Sequence, residues 1–477
     1  MFGGLTKTSS RIAIAAALGV TFGGYAMSTP AKAADLGGDC CADLEERVAE
    51  LEATTVRKGN KKVSLTISGW VTKSANWWDD GAESNLYVGD KGTTLSSHFQ
   101  LSGSATIAPG WSGGYTMSVE APGTAFGFAS NQFDPGDNDG TRPGINTLLS
   151  YMWVKSDSYG TLNWGLLSQA TDNVALLPDL SGTIIESNAV MFEGNGFFLR
   201  PSGNNSTLGL SRATWGSMGL TCLTGGGGVG ADCNGLPQTG IRYDTPTFGG
   251  FSASVSYTED DMMDAALKYA GEFGNMKFSA AGGYTHMTDE RGPVAGDGGL
   301  AGFKKEVDLW QVGASAMHVP SGLFIYGMYQ NEQNQGTSLG TLSGFGVNNN
   351  ANSNDVWYLK GGIKRTWNPL GATVLYGEYG QYQDMFAGSL GNVCGATGQL
   401  ATAAVCAANA SVAVSGSEID RWGLGVVQEI DSAAMHLYAR YQHLEMDVDL
   451  YDNIGQRNVN QSFDDWDLFQ VGGVIFF

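Results

Sequence analysis

The stretch "FQVGGVIFF" (469–477) decides the fold class of this chain. Its apolar residues and one glycine fall at every second position: Phe469, Val471, Gly473, Ile475 and Phe477. A period of two is typical of a β-strand with one apolar face. Because terminal segments usually fray unless the fold holds them, we expect another strand to pair with this one. The predicted partner is the first strand, "KVSLTISGWVT" (62–72).

The same alternation recurs along the chain from Val63 onward. "LSSHFQLSGSATI" (95–107) and "FSASVSYTE" (251–259) each set apolar residues on one side against small or polar residues on the other. A soluble sandwich also alternates, but its apolar faces must fit a shared close-packed core. Strands of about ten residues with one apolar and one polar face are typical of an outer-membrane barrel. We therefore predict an all-β fold whose apolar side faces lipid and whose polar side faces a wet lumen.

The connections between these strands alternate in length. Short turns, most of them with Pro or Gly, fall at 108–111, 156–160, 245–250, 272–275, 319–322, 368–371 and 429–434. The connections between them are mostly long and polar, as at 331–355 and 384–417. Counting an outer strand at each end, the pattern predicts an antiparallel transmembrane barrel of about sixteen strands, an even number as such barrels require.

The composition excludes some partners. Lys and Arg total 26 against 47 Asp and Glu, which gives a formal net charge of −21. Proteins that bind nucleic acid need a basic footprint for the phosphate backbone. The acidic excess therefore argues against nucleic acid as a partner.

Residues 1–33 are predicted to be a signal peptide. Lys7 and Arg11 form a positive start, residues 12–20 are apolar, and "AKA" (31–33) is a small-residue cleavage site. Cleavage after about Ala33 removes three basic residues and no acid, so the net charge changes from −21 to −24. The rest of the chain has no apolar run of the ~20 residues that a membrane helix requires. We expect an exported protein of the cell outer membrane that spans it with strands of the 61–477 region.

Residues 34–60 have the pattern of a short periplasmic helix. Asp43 is placed as the N-cap, Glu46 lies three residues on, and Gly59 is a stop signal. The apolar stripe consists of Leu44, Val48 and Leu51. A lone helix of this length is marginal in water. The segment is either a self-associating helix or a loosely ordered linker.

The cysteines are consistent with export to an oxidising compartment. Cys222 and Cys233 are eleven residues apart, and Cys394 and Cys406 are twelve apart. Both pairs are candidates for local disulfides that staple loops. Neither has the spacing of a zinc site, so no metal is predicted. The state of the adjacent Cys40 and Cys41 is left open.

A local motif repeats in three strands that follow short turns: "FIYGMYQ" (324–330), "VLYGEYG" (374–380) and "HLYARYQ" (436–442). Its second tyrosine lies beside the apolar face, where a ring can meet lipid and a hydroxyl can meet headgroups. The predicted aromatic girdle consists of Tyr257, Tyr329, Tyr379 and Tyr441. The alternative is plain strand propensity of Tyr.

Several stretches together resemble the alphaproteobacterial general porin family. They are residues 44–71, "YGTLNWG" (159–165), "DLSGT" (179–183), "FFLR" (197–200) and the terminal Phe477. The resemblance implies a homotrimer in the outer membrane, among lipid and lipopolysaccharide, that passes small hydrophilic solutes and ions by passive diffusion. It also implies a long third loop folded into the lumen, here within 170–238. Phe477 and Ile475 resemble the signal read by the barrel assembly machinery.

A channel of this family would select solutes at a constriction. The loop side is predicted to carry Asp172, Asp179, Glu186 and Glu193. The opposing wall is predicted to carry Arg200, Arg212, Arg242, Lys360, Glu378, Arg421 and Arg440. Acids and bases across a narrow gap would orient dipolar solutes; the alternative is that they face solvent in a wide lumen. The acidic total suggests cation preference, although loop charges are screened beyond about 8–10 Å.

The sequence leaves two other functions open and argues against a third. A structural or adhesive barrel would have its lumen plugged by the third-loop region. A sugar-selective porin would line its lumen with aromatic rings, for which the candidates are Trp70, Tyr326, Tyr358, Tyr376 and Tyr438. An enzyme would need a catalytic set, yet no Ser/His/acid spacing accompanies His98, His286, His436 or His443. The sequence therefore predicts no enzyme and no cofactor.

Overall fold

The computed structural model describes most of the chain after the predicted leader. The described residues are 62–92, 94–121, 126, 130–133, 135, 145–202, 214–216, 230–259, 261–291, 303–335, 353–385, 394–395, 398–399, 412–452, 457–459 and 462–477. The predicted signal peptide and periplasmic helix lie outside these residues. So do Arg212, Cys222, Cys406 and the Cys40–Cys41 pair. In the described part, no helix combines the length and apolar character that crossing a bilayer requires.

The described chain is almost entirely strand. In chain order the strands are β1 (Thr66–Asp79), β2 (Ser84–Gly89), β3 (His98–Ala108), β4 (Trp111–Glu120), β5 (Asn146–Ser156), β6 (Gly160–Leu167), β7 (Gln238–Asp244), β8 (Phe251–Thr258), β9 (Met262–Phe273), β10 (Met276–Arg291), β11 (Phe303–His318), β12 (Leu323–Asn334), β13 (Ser353–Asn368), β14 (Gly371–Gln383), β15 (Cys394–Gly395), β16 (Gly398–Gln399), β17 (Val412–Ile430), β18 (Met435–Asp452), β19 (Arg457–Val459) and β20 (Trp466–Phe476).

Sixteen of these strands form one closed antiparallel barrel, which confirms the predicted fold class and strand number. Strands β2 and β19 are short additions to the sheet, and β15 with β16 forms a separate ribbon. The terminal strand β20 pairs with β1, with Trp70 opposite Phe476 and Asp79 opposite Asp467. Phe477 itself exchanges two backbone hydrogen bonds with Gly69, of 3.0 and 3.1 Å. Closure matters because unpaired backbone groups in lipid cost several kcal/mol each.

The short turns join β3 to β4, β5 to β6, β7 to β8, β9 to β10, β11 to β12, β13 to β14 and β17 to β18, as predicted. These turns lie at the same end of the barrel as the start of β1 and the end of β20. One connection at the other end is an exception to the predicted length, because only three residues separate Thr258 from Met262.

One strand of the wall is interrupted. Strands β2 and β3 both pair with β1, β2 with residues 74–79 and β3 with residues 66–70. The segment between them, 90–97, leaves the wall and is mostly buried. The sequence placed residues 95–97 in a strand, which is wrong: the strand begins at His98. The side chain of Asp90 accepts a hydrogen bond from the Ser97 amide, 3.1 Å long, and so closes this inward segment on itself.

Outward-facing side chains match the prediction of an apolar, lipid-facing surface. Ile325, Leu359 and Leu424 point away from the lumen and are 50–60% exposed. The lumen side is less simple than predicted. Inward residues of β11 to β20, such as Val356 and Leu444, join residues of the third loop in one buried apolar cluster. The barrel therefore does contain a core, and the third loop supplies part of it.

Candidate functional site: the third loop against the barrel wall

The third loop connects β6 to β7 and covers residues 168–237, of which 168–202, 214–216 and 230–237 are described. Most described residues of this loop are buried, and the others are partly buried. Its side chains and carbonyl groups contact inward residues of strands from β7 round to β20. The loop is therefore seated on the wall along much of the barrel circumference.

The two ends of the loop are fastened together near β9, β10 and β11. The Thr171 amide and hydroxyl both donate to Asp264, at 2.7 Å each. The hydroxyl of Thr171 also lies 2.7 Å from that of Thr285. From the other end of the loop, Asn234 donates to Thr171 and accepts from Gln311 at 2.9 Å. These bonds fix where the loop leaves and rejoins the wall.

Arg242 on β7 holds the first residues of the loop. Its guanidinium donates to the carbonyl groups of Ser168 and Gln169 at 3.1 and 3.3 Å. Its charge is paired with Asp244, two residues on in the same strand, at 2.8 Å. Arg242 was predicted to oppose a loop acid; it pairs with a wall acid instead. The nearby loop acid Asp172 is hydrogen-bonded to Ser168 and to the Asn173 amide group.

The middle of the loop is held by β12 and β13. The Tyr326 hydroxyl donates to the Ala175 carbonyl at 2.7 Å. The Lys360 ammonium lies 3.1 Å from the Asp179 carboxylate and donates to the Ser187 carbonyl at 2.7 Å. Lys360 and Asp179 are both buried at their charged ends. The predicted loop acid and wall base thus form a direct ion pair.

A second ion pair lies within the wall, between Arg421 on β17 and Glu378 on β14, at 2.9 Å. The Tyr358 hydroxyl donates to the same carboxylate at 2.6 Å, and the loop hydroxyl of Ser187 donates to it as well. Arg421 also reaches the carbonyl group of Ala189 in the loop, at 3.4 Å. The loop is therefore bonded to a charged pair of the wall.

Two further loop acids contact basic groups. Glu186 lies 2.6 Å from His436. Glu193 lies 2.5 Å from Arg440 and 3.2 Å from Lys91. Glu193 therefore compensates two buried cations at once.

Lys91 was not singled out from the sequence. It lies in the inward segment 90–97, and its ammonium also donates to the Glu186 carbonyl at 3.0 Å and to Gln470 at 3.2 Å. The signal that could have found it is the break in alternation at "GDKGTTLSS" (89–97) between two strand patterns. A break of this kind allows a charged residue to leave the wall.

The return of the loop is fastened near β1. Arg200 lies 2.7 Å from Asp80 and 3.6 Å from Glu83. Gln132 donates to Asp80 at 3.0 Å and to the Phe198 carbonyl at 2.9 Å. Aromatic rings pack beside this network, with ring centroids 4.9 Å apart for Trp78 and Phe197.

The charged residues predicted from the sequence are thus brought to the same region, with Arg212 outside the described residues. Asp179, Glu186 and Glu193 touch their wall partners and do not face them across a gap. The aromatic residues considered for a sugar track do point inward, but they are buried, between 0% and 6% exposed: Trp70, Tyr326, Tyr358, Tyr376 and Tyr438. Rings in this position pack against protein and do not form an open track.

The electrostatic environment of the loop follows from these pairs. Burial alone would raise the pKa of Glu193, but Arg440 and Lys91 outweigh it and lower that pKa. His436 likewise lowers the pKa of Glu186 against the effect of burial. Burial, with the neighbouring Arg440, lowers the pKa of Lys91 to about 8. Both loop acids are therefore ionised at neutral pH.

Asp232 and Asp172, near the two ends of the loop, behave in the opposite way. Burial raises the pKa of Asp232 to about 7. Burial, and then the neighbouring Asp232, raise the pKa of Asp172. Because the pKa is raised, the folded state keeps a proton that the unfolded chain has already released. The free energy of unfolding therefore falls as pH rises toward 7.

We expect the free energy of unfolding to fall between pH 5 and 7, by on the order of 2–4 kcal/mol. Asp232→Asn removes one of the two titrating groups and should make this fall smaller. Denaturant midpoints of the folded barrel in detergent, measured from pH 5 to 7, test this. Asp157→Asn, in a short turn, is the control and should keep the wild-type slope. A flat wild-type profile contradicts the prediction.

The predicted girdle tyrosines all lie on the outward side, and their hydroxyl groups have specific partners. Four repeats share one design. A Tyr lies directly opposite a Trp or Phe of the next strand, and the His, Asn or Gln two residues after the Tyr lies opposite an Asp. The repeats are Tyr284/His286 with Asp308/Trp310, Tyr329/Asn331 with Asp355/Trp357, Tyr379/Gln381 with Asp420/Trp422, and Tyr441/His443 with Asp467/Phe469. In each, the Tyr hydroxyl donates to the Asp carboxylate. Tyr257 donates to Asp261, at 2.7 Å.

Removing one of these hydroxyl groups should have a modest, measurable effect. Tyr379→Phe leaves Gln381 as a donor to Asp420, at 3.2 Å. We expect a loss of about 1 kcal/mol in the free energy of unfolding, the usual net value of one hydrogen bond. Tyr159→Phe, in a short turn and 70% exposed, is the control with no expected change. Equal effects of the two substitutions would contradict the role assigned to the hydroxyl.

Of the candidate disulfide cysteines, Cys233 is disulfide-bonded. Its sulfur accepts a hydrogen bond from Gln330 on β12, at 3.0 Å, which places the bond beside the end of the third loop. The pairing with Cys222, and that of Cys394 with Cys406, stay predictions. Within the described residues, no group of three or more His, Cys, Asp or Glu side chains is placed to hold a metal ion.

A closed antiparallel barrel with an outward apolar surface and a long loop seated in its lumen defines the class of outer-membrane β-barrel channels. Residues 13–449 match the family model described as Gram-negative porin. The chain therefore belongs to the Gram-negative porin family. A sequence search of curated proteins gave no match.

Solved structures with a similar barrel have low sequence identity to this chain. Outer-membrane expressed OmpT of Vibrio cholerae is 11% identical, with 88% of this chain and 99% of that chain covered and a TM-score of 0.47. The outer membrane channel DcaP of Acinetobacter baumannii is 12% identical, with 88% and 99% covered and a TM-score of 0.46. A triple mutant of the Rhodopseudomonas blastica porin is 12% identical, with 87% and 100% covered and a TM-score of 0.41. At these values the likenesses carry no functional argument.

Proposed function

We propose that this protein is a diffusion channel for small hydrophilic solutes and ions, narrowed by its third loop. One observation carries the proposal: inside a closed barrel, residues 168–200 are bonded to wall groups from β7 to β18. A loop held in this way reduces the cross-section at one level of the lumen and leaves the levels above and below it wider. The ion pairs between the loop and the wall hold the loop in place, and the position of the loop sets the width of the narrowed part of the lumen.

The finer features of the proposal come from the sequence. The alphaproteobacterial branch is supported by residues 44–71 and the terminal Phe477. Assembly as a homotrimer in lipid and lipopolysaccharide, insertion by the barrel assembly machinery, and cleavage after about Ala33 follow from the same resemblance. Residues 34–60 are proposed as the periplasmic segment before the barrel.

Single-channel recording in a planar lipid bilayer tests the proposed function. Purified, folded protein should give stable conductance steps that arrive in threes. Folding is checked separately by the shift in gel mobility on heating. Folded protein that inserts and conducts nothing overturns the diffusion channel.

A plugged barrel with a structural or adhesive role is the second candidate. The observation that favours it is the burial of inward groups under the loop, such as Tyr358 at 0% and Arg421 at 1% exposure. The apolar part of the loop–wall contact, with Ala175, Ile185 and Val190, points the same way. Absence of conductance in folded protein would support this candidate.

A further inference from the structure

The inward-facing charges lie at two levels. At the level of the third loop they are buried and engaged, as described for Lys91, Lys360, Arg421 and Arg440. Below the loop, toward the short turns, charged side chains keep contact with water. Those described are Lys155, Lys268, Glu272, Lys277, Lys364 and Glu429. Four of these six are bases, so the described charges of the lumen below the loop have a positive balance.

Two of the bases are neutralised locally. Lys277 lies 2.9 Å from Glu272, with side chains 37% and 66% exposed. Lys364 is paired with Glu429, with side chains 21% and 12% exposed. Lys268 differs, because among the described residues no acid lies within ion-pair distance of its ammonium. It is also partly exposed.

The alternation of inward and outward side chains on β9 shows which way the Lys268 side chain points. On β9, Met263 and Leu267 face outward and are 52% and 56% exposed. Asp264 and Ala266, in the phase of Lys268, are buried at 6% and 5%. Lys268 lies opposite Ser252 on β8 and Ala281 on β10. Its side chain is therefore on the lumen side, just below the end of the third loop.

The charged groups around Lys268 are Arg242, Asp244, Asp172 and Asp264. The acids among them are engaged elsewhere. Asp244 is paired with Arg242, and Asp264 accepts from Thr171 and Ser256. Asp172 is buried and hydrogen-bonded to Ser168 and Asn173. Of this group, Lys268 is the member that keeps contact with water, since the other four side chains are buried.

We propose that Lys268 sets the ion preference of the channel and that the channel prefers small anions, such as chloride, phosphate or carboxylates. This rests on the proposed function as a diffusion channel. It reverses the cation preference that the acidic total suggests. Charges act over only about 8–10 Å at physiological salt, so the total charge of the chain does not set the preference at the lumen. Exposed lumen charges therefore dominate.

Reversal potentials in a KCl gradient test the proposal with the full-length protein. The wild type should favour chloride over potassium. Lys268→Gln should lower chloride permeability and raise potassium permeability by about fivefold each, the factor given by one unit charge at about 4 Å in water, so the chloride-to-potassium ratio should fall by about 25-fold. Lys268→Glu should make potassium the preferred ion. Arg365→Gln is the matched control, because Arg365 is exposed on the outward side of β13 and should leave the ratio unchanged.

The outcomes separate this inference from the proposed function. Folded protein without conductance overturns both. A conducting wild type that prefers potassium, or a Lys268→Gln ratio equal to that of the wild type, overturns the role of Lys268 while the channel stands. The sign of the wild-type reversal potential does not depend on any variant folding. Lys268→Arg, which keeps the charge, should retain the wild-type preference.

Discussion

Replacing Glu193 with Gln is expected to destabilise the folded barrel by about 3–5 kcal/mol, the usual cost of removing one partner from a buried ion pair. Glu193 compensates both Lys91 and Arg440, at 3.2 and 2.5 Å, and all three side chains are at most 6% exposed. The substitution leaves two cations buried without their counter-charge. Because the loop can leave the wall more easily than the wall can open, we expect the loop near Glu193 to detach.

Two measurements check this expectation. Guanidinium unfolding in detergent micelles, followed by tryptophan fluorescence, gives the change in free energy of unfolding. Planar-bilayer recording should show a larger single-channel conductance than that of the wild type. Glu272→Gln is the matched control: its pair with Lys277 is exposed, and such pairs contribute about 1 kcal/mol or less. Wild-type stability and conductance in the Glu193 variant would show that the pairs do not hold the loop.

The second large effect is expected from Gly313→Ala on β11. A Cβ atom at Gly313 would lie 1.9 Å from the Ala175 carbonyl oxygen of the third loop. The same carbonyl accepts the hydrogen bond from Tyr326. Because β11 is part of a closed, hydrogen-bonded wall, the loop must move. We expect a loss of about 1–3 kcal/mol, typical of overpacking, and a changed conductance.

A glycine of the same sheet provides the control. A Cβ atom at Gly361 on β13 meets no atom closer than 3.8 Å. Gly361→Ala should therefore leave both unfolding and conductance unchanged. If the two alanine variants behave alike, the loop is not seated against β11 at Ala175. If Gly313→Ala alone loses stability without a change in conductance, the contact is structural and lies away from the conducting path.

The outward surface could be predicted from local pattern because lipid imposes the same requirement on every strand. The alternation in 251–259 and 469–477 reports only which side of a strand is apolar, and that was enough for the fold class and the closing pair. The strand number came from the alternating lengths of the connections. The repeated Tyr379 and Tyr441 positions were found in the same way. Their aspartate partners were not, because Asp420 and Asp467 lie on neighbouring strands at a register that the sequence does not state.

The lumen could be predicted only in part. The acids of the third loop and the bases of the wall were identified by phase, since Lys360, Arg421 and Arg440 lie at inward positions. Whether Asp179 and Glu193 touch those bases or face them across water depends on the path of a loop 70 residues long, from 168 to 237. Burial of opposite charges is favourable only when the geometry is good, and local sequence does not contain that geometry.

The sequence by itself determined a closed, outward-apolar barrel, because a strand's two faces and the need to pair every backbone group in lipid are properties of neighbouring residues. The tertiary structure alone decided what occupies the lumen. It turned the segment of Lys91 inward, seated the loop on β11 and left Lys268 below it as a partly exposed base with no described acid within ion-pair distance. These contacts join residues hundreds of positions apart, Lys91 with Gln470 for example. They form only when the ring of strands closes and brings both ends of the chain to one wall.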